Sequence, residues 1–184
     1  MRFSENRTVA FIVLAVCVVV SVFGLGGMGL ARERSKVLTV YDRGADTSLS
    51  TRHSVDAYLD SAAENAALMA SEAGLHMDAS PVIETVAQLA ENVAKEADSD
   101  ARYAAFDALK TAVDKLYDAM YGAVKGSDFT NFKVAYDNFW ESVNMIKYDD
   151  YSKLAAGYND LISGFPGGVV AKIMGQGALN TFGG

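Results

Sequence analysis

The sequence predicts an all-α protein: an N-terminal transmembrane helix, then an antiparallel bundle of about four long helices and a short C-terminal helix. Three observations predict this fold. The chain of 184 residues has only 2 prolines and many Ala, Asp, Glu and Lys residues, a composition that favours helix. A run of 22 residues near the N-terminus carries no charge. In the remainder, apolar residues recur every three or four positions, which is typical of amphipathic helices.

The apolar run, residues 9–30, predicts a membrane-spanning helix after an N-terminal tail of residues 1–8. Its length matches the roughly 20 residues that cross a hydrocarbon core about 30 Å thick. We therefore expect membrane lipid to be a partner. A cleaved secretory signal is the alternative, because Arg2 and Arg7 precede the run and small residues follow at Gly29 and Ala31. The run exceeds the roughly 7 to 15 residues of a usual signal core, which favours an uncleaved anchor.

Two motifs inside the apolar run have weak support. Leu14 to Cys17 approximates a lipoprotein motif, but Val16 is bulky and the apolar run continues beyond the cysteine. Gly24 to Gly29 satisfies G-x-G-x-x-G without the strand, helix and acidic residue that a dinucleotide site needs. We expect Cys17 to act as a small hydrophobic residue, and the glycines to loosen this end of the helix or let it pack closely against a neighbour.

Charge is distributed unevenly along the chain. From residue 44 onward there are 10 Lys or Arg residues and 20 Asp or Glu residues, a net charge of −10. Such a domain repels nucleic acid phosphates and anionic lipid surfaces, so we expect no nucleic-acid partner. Basic residues on the two sides of the apolar run lean slightly towards a cytoplasmic C-terminal domain, but long domains translocate largely regardless of this count.

The remaining chain divides into a juxtamembrane linker, residues 31–50, and a helical bundle domain, residues 51–184. The first bundle helix should begin between Ser50 and Ser54 and end at Gly74. Ser80-Pro81 should open the second helix, since serine caps free amides and proline is tolerated at the first helical position. The polar break Asp98 to Asp100 should precede the third helix, whose near-heptad apolar spacing continues to Gly126.

The last long segment starts near Ser127 and shows a phase slip in its apolar spacing. Five residues separate Ile146 from Tyr151, although the spacing is three or four on either side. We favour one kinked helix here over two helices that meet. The slip contains Asp149 and Asp150, so a polar site near residues 147–151 is an alternative that would make the protein a ligand sensor or an enzyme.

The sequence predicts no catalytic, cofactor-binding or metal site. No common hydrolase, metalloprotease or phosphate-loop motif occurs. His53 and His76 flank the first bundle helix at opposite ends, and neither forms the Glu-x-x-His pair of a di-iron bundle. Carboxylates such as Glu84, Glu91 and Glu96 fit ordinary solvated helix faces.

The C-terminal segment "YNDLISGFPGGVVAKIMG" resembles the closing signature of the LemA family of bacterial membrane proteins. The matching residues are Tyr158, Asn159, Ile162, Phe165, Pro166, Ala171 and Gly175, and Phe182 stands where the family has a late aromatic residue. The earlier Tyr-Asn pair of the family is Tyr151-Ser152 here, and the basic, aromatic first helix of better-known members is absent. The resemblance implies a membrane-anchored helical bundle and no catalytic residue.

The same segment predicts a sharp turn at Phe165-Pro166-Gly167-Gly168 and a short apolar helix after it. We favour a helix that packs back as a lid, with Asn159 binding backbone at this corner. The alternative is a docking surface for a protein or the bilayer interface, formed by Val169, Val170, Ile173 and Met174. The function expected from the sequence is a membrane-anchored scaffold or protein-interaction module at a bacterial envelope, with an unknown protein partner.

Overall fold

The computed structural model describes residues 7–44, 46–47, 50–51, 54–124 and 126–182. Over these ranges the fold is all-α, as predicted, apart from a two-residue antiparallel ladder between β1 (Asp46–Thr47) and β2 (Ser50–Thr51). A 3-10 turn, Gly126–Phe129, precedes the fifth helix. The α-helices are α1 (Arg7–Arg43), α2 (Val55–His76), α3 (Pro81–Lys95), α4 (Ser99–Ala123), α5 (Thr130–Lys147), α6 (Asp150–Ser163) and α7 (Gly167–Ile173).

The chain forms two compact units. One contains the first helix up to Thr39 together with Leu154–Leu179, and the other contains Val40–Lys153 and the residues from Asn180 onward. The predicted bundle domain, residues 51–184, is therefore divided. Its C-terminal part groups with the N-terminal helix because the chain reverses after Ser163 and α7 packs against α1, as described below.

Helix α1 continues through most of the predicted linker. It spans 37 residues without a break, so residues 31–43 are helical. The buried positions of this part recur at alternating spacings of three and four, with the half-buried Arg34 in the same series: Gly27, Leu30, Arg34, Val37 and Tyr41. The helix ends where Gly44 takes a positive φ of 79° and its N–H donates to the Val40 carbonyl, a common glycine C-cap.

Helix α2 is the centre of the second unit, where it packs against both α3 and α5. Five of its buried residues are alanines, and small side chains let neighbouring helices approach on more than one side. Ser61 of α2 accepts a hydrogen bond of 3.1 Å from Ser142 of α5, which joins these two helices. The larger core residues are aromatic and aliphatic side chains: Val55, Leu59, Met69, Phe106, Leu109, Leu116, Met120, Phe132, Phe139 and Ile146.

Two predicted helix starts are confirmed by their capping geometry. The Ser80 hydroxyl accepts a hydrogen bond from the Val82 amide, with Pro81 at the first position of α3. The Asp98 carboxylate accepts hydrogen bonds from the amides of Asp100 and Ala101 at the start of α4. These caps are local in sequence, which explains why they could be predicted.

Two predicted boundaries are wrong. Gly74 does not end α2, which continues to His76 before Met77 leaves in an extended conformation. The phase slip is not a kink in one helix, because α5 ends at Lys147 and α6 begins at Asp150. The Asp149 side chain accepts a hydrogen bond of 2.8 Å from the Tyr151 amide, and this new cap replaces the interrupted backbone hydrogen bonds.

Arg102 joins three helices of the second unit through a buried guanidinium group. Its Nε donates to the Val93 carbonyl at 2.8 Å, its Nη1 donates to Asp56, and its Nη2 donates to Asp60 at 2.5 Å. Burial alone would lower the pKa of Arg102, but nearby negative groups, including Asp56 and Asp60, raise it above its usual value. A charge buried in this way is stable because each of the three guanidinium nitrogens has a hydrogen-bond partner.

We predict that Arg102→Met lowers the free energy of unfolding by about 1 to 3 kcal/mol, because it leaves a buried carbonyl without a donor. The two carboxylates keep much of their hydration, which limits the loss. The measurement is thermal unfolding of the full chain in detergent, followed by circular dichroism. Lys133→Met, which removes an exposed ion pair with Asp137, is the control and should change little. Equal melting temperatures for both variants would contradict the structural role of Arg102.

Candidate functional site

The apolar run of α1 is not covered by protein. None of its most apolar 18-residue window is buried, and α1 is the one helix in the described parts of the chain that has the length and composition to cross a membrane. A signal sequence near an N-terminus meets the same test. The large exposed apolar residues are Phe11, Ile12, Val13, Leu14, Val16, Val18, Val19, Val20, Leu25 and Met28. An apolar surface of this extent needs a non-aqueous environment or a partner.

Helix α7 packs against the end of this run at Gly27. A Cβ atom added to Gly27 would lie 2.9 Å from the Met174 sulfur and 3.8 Å from a Val170 methyl group. Glycine at this position therefore lets the two helices approach closely, as predicted for the glycines of the run. A Cβ atom added to Gly24 or to Gly26 would have no atom of another element within 4 Å.

Tyr158 and Asn159 hold the segment after α7 against α6. The Asn159 amide group donates to the Leu179 carbonyl and accepts from the Leu179 amide, both at 2.8 Å. The Tyr158 hydroxyl donates to Gln176 Oε1 at 3.1 Å. Burial raises the pKa of Tyr158, although Arg34 opposes that rise, so the hydroxyl keeps its proton at neutral pH. The predicted backbone role of Asn159 is confirmed.

The turn between α6 and α7 requires glycine. An added Cβ on Gly167 would lie 2.0 Å from the Leu161 carbonyl oxygen, and one on Gly168 would lie 2.7 Å from the Ile162 carbonyl oxygen. These contacts are with backbone atoms, which cannot move aside without opening the turn. Phe165 precedes the turn and is 91% exposed.

The other residues of the predicted signature and docking surface have different environments. Ala171 is buried, Gly175 takes a positive φ of 67°, Ile162 is half-buried, and Pro166 precedes the first residue of α7. In the predicted docking set, Val170 is only 2% exposed and is unavailable to a partner, because it faces Gly27. The members of this set that are exposed are Val169, Ile173 and Met174.

The predicted polar site near residues 147–151 is a helix junction. Asp149 is buried and caps α6, Asp150 lies 3.6 Å from Lys153, and the Tyr151 ring is buried. The Tyr151 ring packs 5.3 Å from Tyr41 and 5.8 Å from Phe182, measured between centroids. Phe182 thus belongs to an aromatic cluster. We expected one kinked helix here, whereas Asp149 is buried at a junction between two helices.

A groove of about 410 Å³ lies between α4 and α5 in the second unit. It brings the cations Lys110 and Lys147 near the carboxylates Asp107 and Asp114. Lys110 also lies 2.9 Å from Asp107 and 5.6 Å from the centroid of the Phe106 ring, so its charge has partners within the groove. The remaining lining residues are Thr111, Trp140, Val143, Asn144 and Phe182.

An aromatic group occupies the end of the α4–α5 hairpin. The rings of Tyr117 and Tyr121 are nearly parallel, at 13° and 6.2 Å, and both contact the ring of Phe129. Tyr121 is mostly exposed. Exposed tyrosines supported by packed neighbours are frequent hot spots of protein interfaces.

Other candidate chemistry is not assembled by the fold. Across the described residues, no three His, Cys, Asp or Glu side chains come together as metal ligands, and His53 lies outside those residues. The G-x-G-x-x-G glycines belong to the uninterrupted helix α1, so they form no phosphate-binding loop. Comparisons with protein-family models, with curated proteins and with solved structures give no match.

We predict that Asn159→Asp destabilises the C-terminal segment by about 1 to 3 kcal/mol. The substitution keeps the size of the side chain, but it replaces a donor with a carboxylate oxygen that faces the Leu179 carbonyl. Hydrogen exchange of the amides after Gly175, in the full chain, measures the effect. Asn144→Asp is the control, since no side-chain hydrogen bond of Asn144 needs the amide as donor within the described residues. Unchanged protection of these amides from exchange in Asn159→Asp would contradict the hydrogen bonds between Asn159 and Leu179.

We also predict that Gly167→Ala destabilises the protein, whereas Gly157→Ala stabilises it by about 0.5 to 1 kcal/mol. The first substitution forces a methyl group against the Leu161 carbonyl. The second adds a methyl group inside α6, where no atom lies within 4 Å, and removes backbone entropy from the unfolded chain. Thermal unfolding in detergent measures the stability of each variant against the wild type. A Gly167→Ala variant as stable as Gly157→Ala would contradict the close approach in the turn.

Proposed function

We propose that this protein is a single-pass membrane protein of the LemA type that holds an acidic helical bundle at the membrane and acts there as a scaffold or protein-interaction module of a bacterial envelope. The observation that carries the proposal is the apolar surface of α1. All sides of its N-terminal half are exposed and apolar, and a lipid bilayer is the environment that satisfies such a helix.

The continuity of α1 supports an uncleaved anchor over a cleaved signal. Cleavage after Ala31 would cut the helix between Leu30 and Val37, which are both buried. It would also remove Gly27, against which Met174 and Val170 pack. A signal peptide that is removed has no reason to contribute to the packing of the mature protein, so these contacts favour an N-terminal segment that stays attached.

The LemA-type part of the proposal rests on the C-terminal signature in the sequence. Tyr158, Asn159 and Ala171 of the signature form hydrogen bonds or buried packing that close this end of the chain. These structural roles account for the signature residues without assigning any of them a catalytic role. The family resemblance implies no catalytic residue, which agrees with a function in interaction.

The ligand-sensing alternative loses its original basis at residues 147–151. Asp149 there has a structural task as the cap of α6, and Tyr151 is packed in an aromatic cluster. The exposed Tyr121 and its aromatic neighbours instead provide a surface suited to a protein partner. We therefore place the interaction surface at the end of the α4–α5 hairpin.

The anchor is tested by fractionating native cells and washing the membranes with alkaline carbonate. We expect the full chain to stay in the membrane with its N-terminal segment attached, as read by intact mass. Val16→Asp with Val20→Asp should release it, because two charges in the bilayer centre cost about 5 to 7 kcal/mol. Leu68→Asp with Leu75→Asp, on exposed positions of α2, is the matched control and should stay bound. A soluble wild type, or a mature chain that begins at Arg32, would contradict the anchor.

The interaction module is tested in the same membranes. A photo-crosslinking residue at Tyr121 should give recurrent adducts with one other protein, and a residue of the same kind at Glu64, exposed on α2, serves as the control. Adducts only within the chain, or the same mixture of proteins from both positions, would contradict an interaction surface at the hairpin end.

A further inference from the structure

We propose that α7 is a second membrane-contacting element, whose exposed side chains Val169, Ile173 and Met174 enter the boundary between lipid headgroups and acyl chains beside α1. This inference rests on the proposed anchor and goes beyond it, because it chooses lipid over a protein partner for the exposed face of α7, which the sequence left open. It assigns the exposed apolar face of α7 to one occupant, the bilayer leaflet from which α1 emerges.

The depth of α7 follows from its contact with α1. Met174 and Val170 pack at Gly27, which lies three residues before the end of the apolar run at Leu30 and five before the first charged residue, Arg32. At about 1.5 Å per residue, this contact is roughly 4 to 5 Å inside the end of the apolar run. Interfacial helices bury their apolar faces to a comparable depth, roughly 5 to 10 Å.

The apolar surfaces of α1 and α7 are continuous. A shallow notch of about 340 Å³ joins them, lined by Phe23, Gly24, Gly27, Met28, Ile173 and Met174. Met28 on α1 is 65% exposed and Ile173 on α7 is 66% exposed. Lipid that covers Met28 therefore also reaches Ile173, because both side chains border the same notch.

The charge of this segment fits a lipid surface, in contrast to the acidic remainder of the chain. Residues 161–182 contain no Asp or Glu and one Lys. Lys172 is exposed on α7, where its long side chain can reach the headgroups while the apolar neighbours enter the acyl region. The exposed Phe165 next to the turn is a residue type that interfacial helices place in the membrane.

The test measures tryptophan fluorescence of the full chain in phosphatidylcholine vesicles that carry brominated acyl chains. In a Trp140→Phe background, Ile173→Trp reports on α7 and Val20→Trp reports on the anchor. Leu154→Trp on α6 is the control. Leu154 lies one turn from Tyr158, and the charge of Arg34, a residue beyond the apolar run, acts on the Tyr158 hydroxyl. Bromines near the headgroups should reduce the emission of Ile173→Trp about twofold, with less effect from bromines near the chain ends. Val20→Trp should show the reverse preference, and Leu154→Trp should change little.

The outcomes separate this inference from the anchor. If Val20→Trp is quenched by lipid and Ile173→Trp is not, α7 does not reach the bilayer and the inference is wrong while the anchor stands. If neither is quenched, the anchor fails and the inference fails with it. If Ile173→Trp is protected from both the brominated lipid and aqueous iodide, a protein covers α7, which also overturns the proposal.

A matched pair of glycine variants tests whether α1 sets the depth of α7. Gly27→Leu should displace Met174 and at least halve the quenching of Ile173→Trp by shallow bromines, because α7 moves away from the apolar run. Gly26→Leu, where the added side chain meets open space, should leave it unchanged. Equal quenching in the two variants would contradict the placement of α7 by the Gly27 contact.

Discussion

The apolar surface of α1 is the constraint on which the account of this protein depends. A helix with exposed apolar side chains on every side cannot be stable in water, so the apolar run of α1 needs a non-aqueous environment or a partner, and we propose that lipid provides it. The same helix continues without a break to Arg43, and its later part has a buried face. In the proposed membrane arrangement, the position of α1 in the bilayer sets the depth of the residues that pack on it near Gly27.

The C-terminal segment of the first unit is stabilised by a small number of specific contacts. The turn at Gly167 reverses the chain, Met174 and Val170 pack on Gly27, and Asn159 binds both backbone groups of Leu179. A substitute for Gly167 would clash with backbone, and a substitute for Asn159 would leave a polar group of Leu179 unpaired. The apolar character of this segment therefore has two causes: part of it is packed inside the protein, and part is left exposed beside the proposed membrane surface.

Much of the fold could be predicted because its signals are local. Ser80 and Asp98 cap helices from within a few residues, and apolar spacing located the first three bundle helices, whereas the predicted fourth helix is two helices, α5 and α6. The failures involve tertiary contacts. Asp149 looked like an exposed polar kink, but it is buried as a cap. Sequence patterns led to no prediction for Arg102, because its carboxylate partners lie 42 and 46 positions earlier in the sequence and no local pattern indicates them. In the candidate site, the apolar character of α7 was predictable, whereas its contact with Gly27 was not.

A spin-label scan along α1 in lipid vesicles tests most directly whether this helix spans the membrane. Cys17 is the single cysteine of the chain, so its replacement by serine allows labels to be placed one at a time from Val9 to Thr39. We expect labels at the exposed positions from Val9 to Leu30 to collide with oxygen and to be shielded from an aqueous nickel complex. From Arg32 onward, nickel should reach the exposed positions and spare the buried ones at alternating spacings of three and four. Nickel collisions at Val13 to Val20 as frequent as those at Ser35 would contradict a membrane-spanning α1.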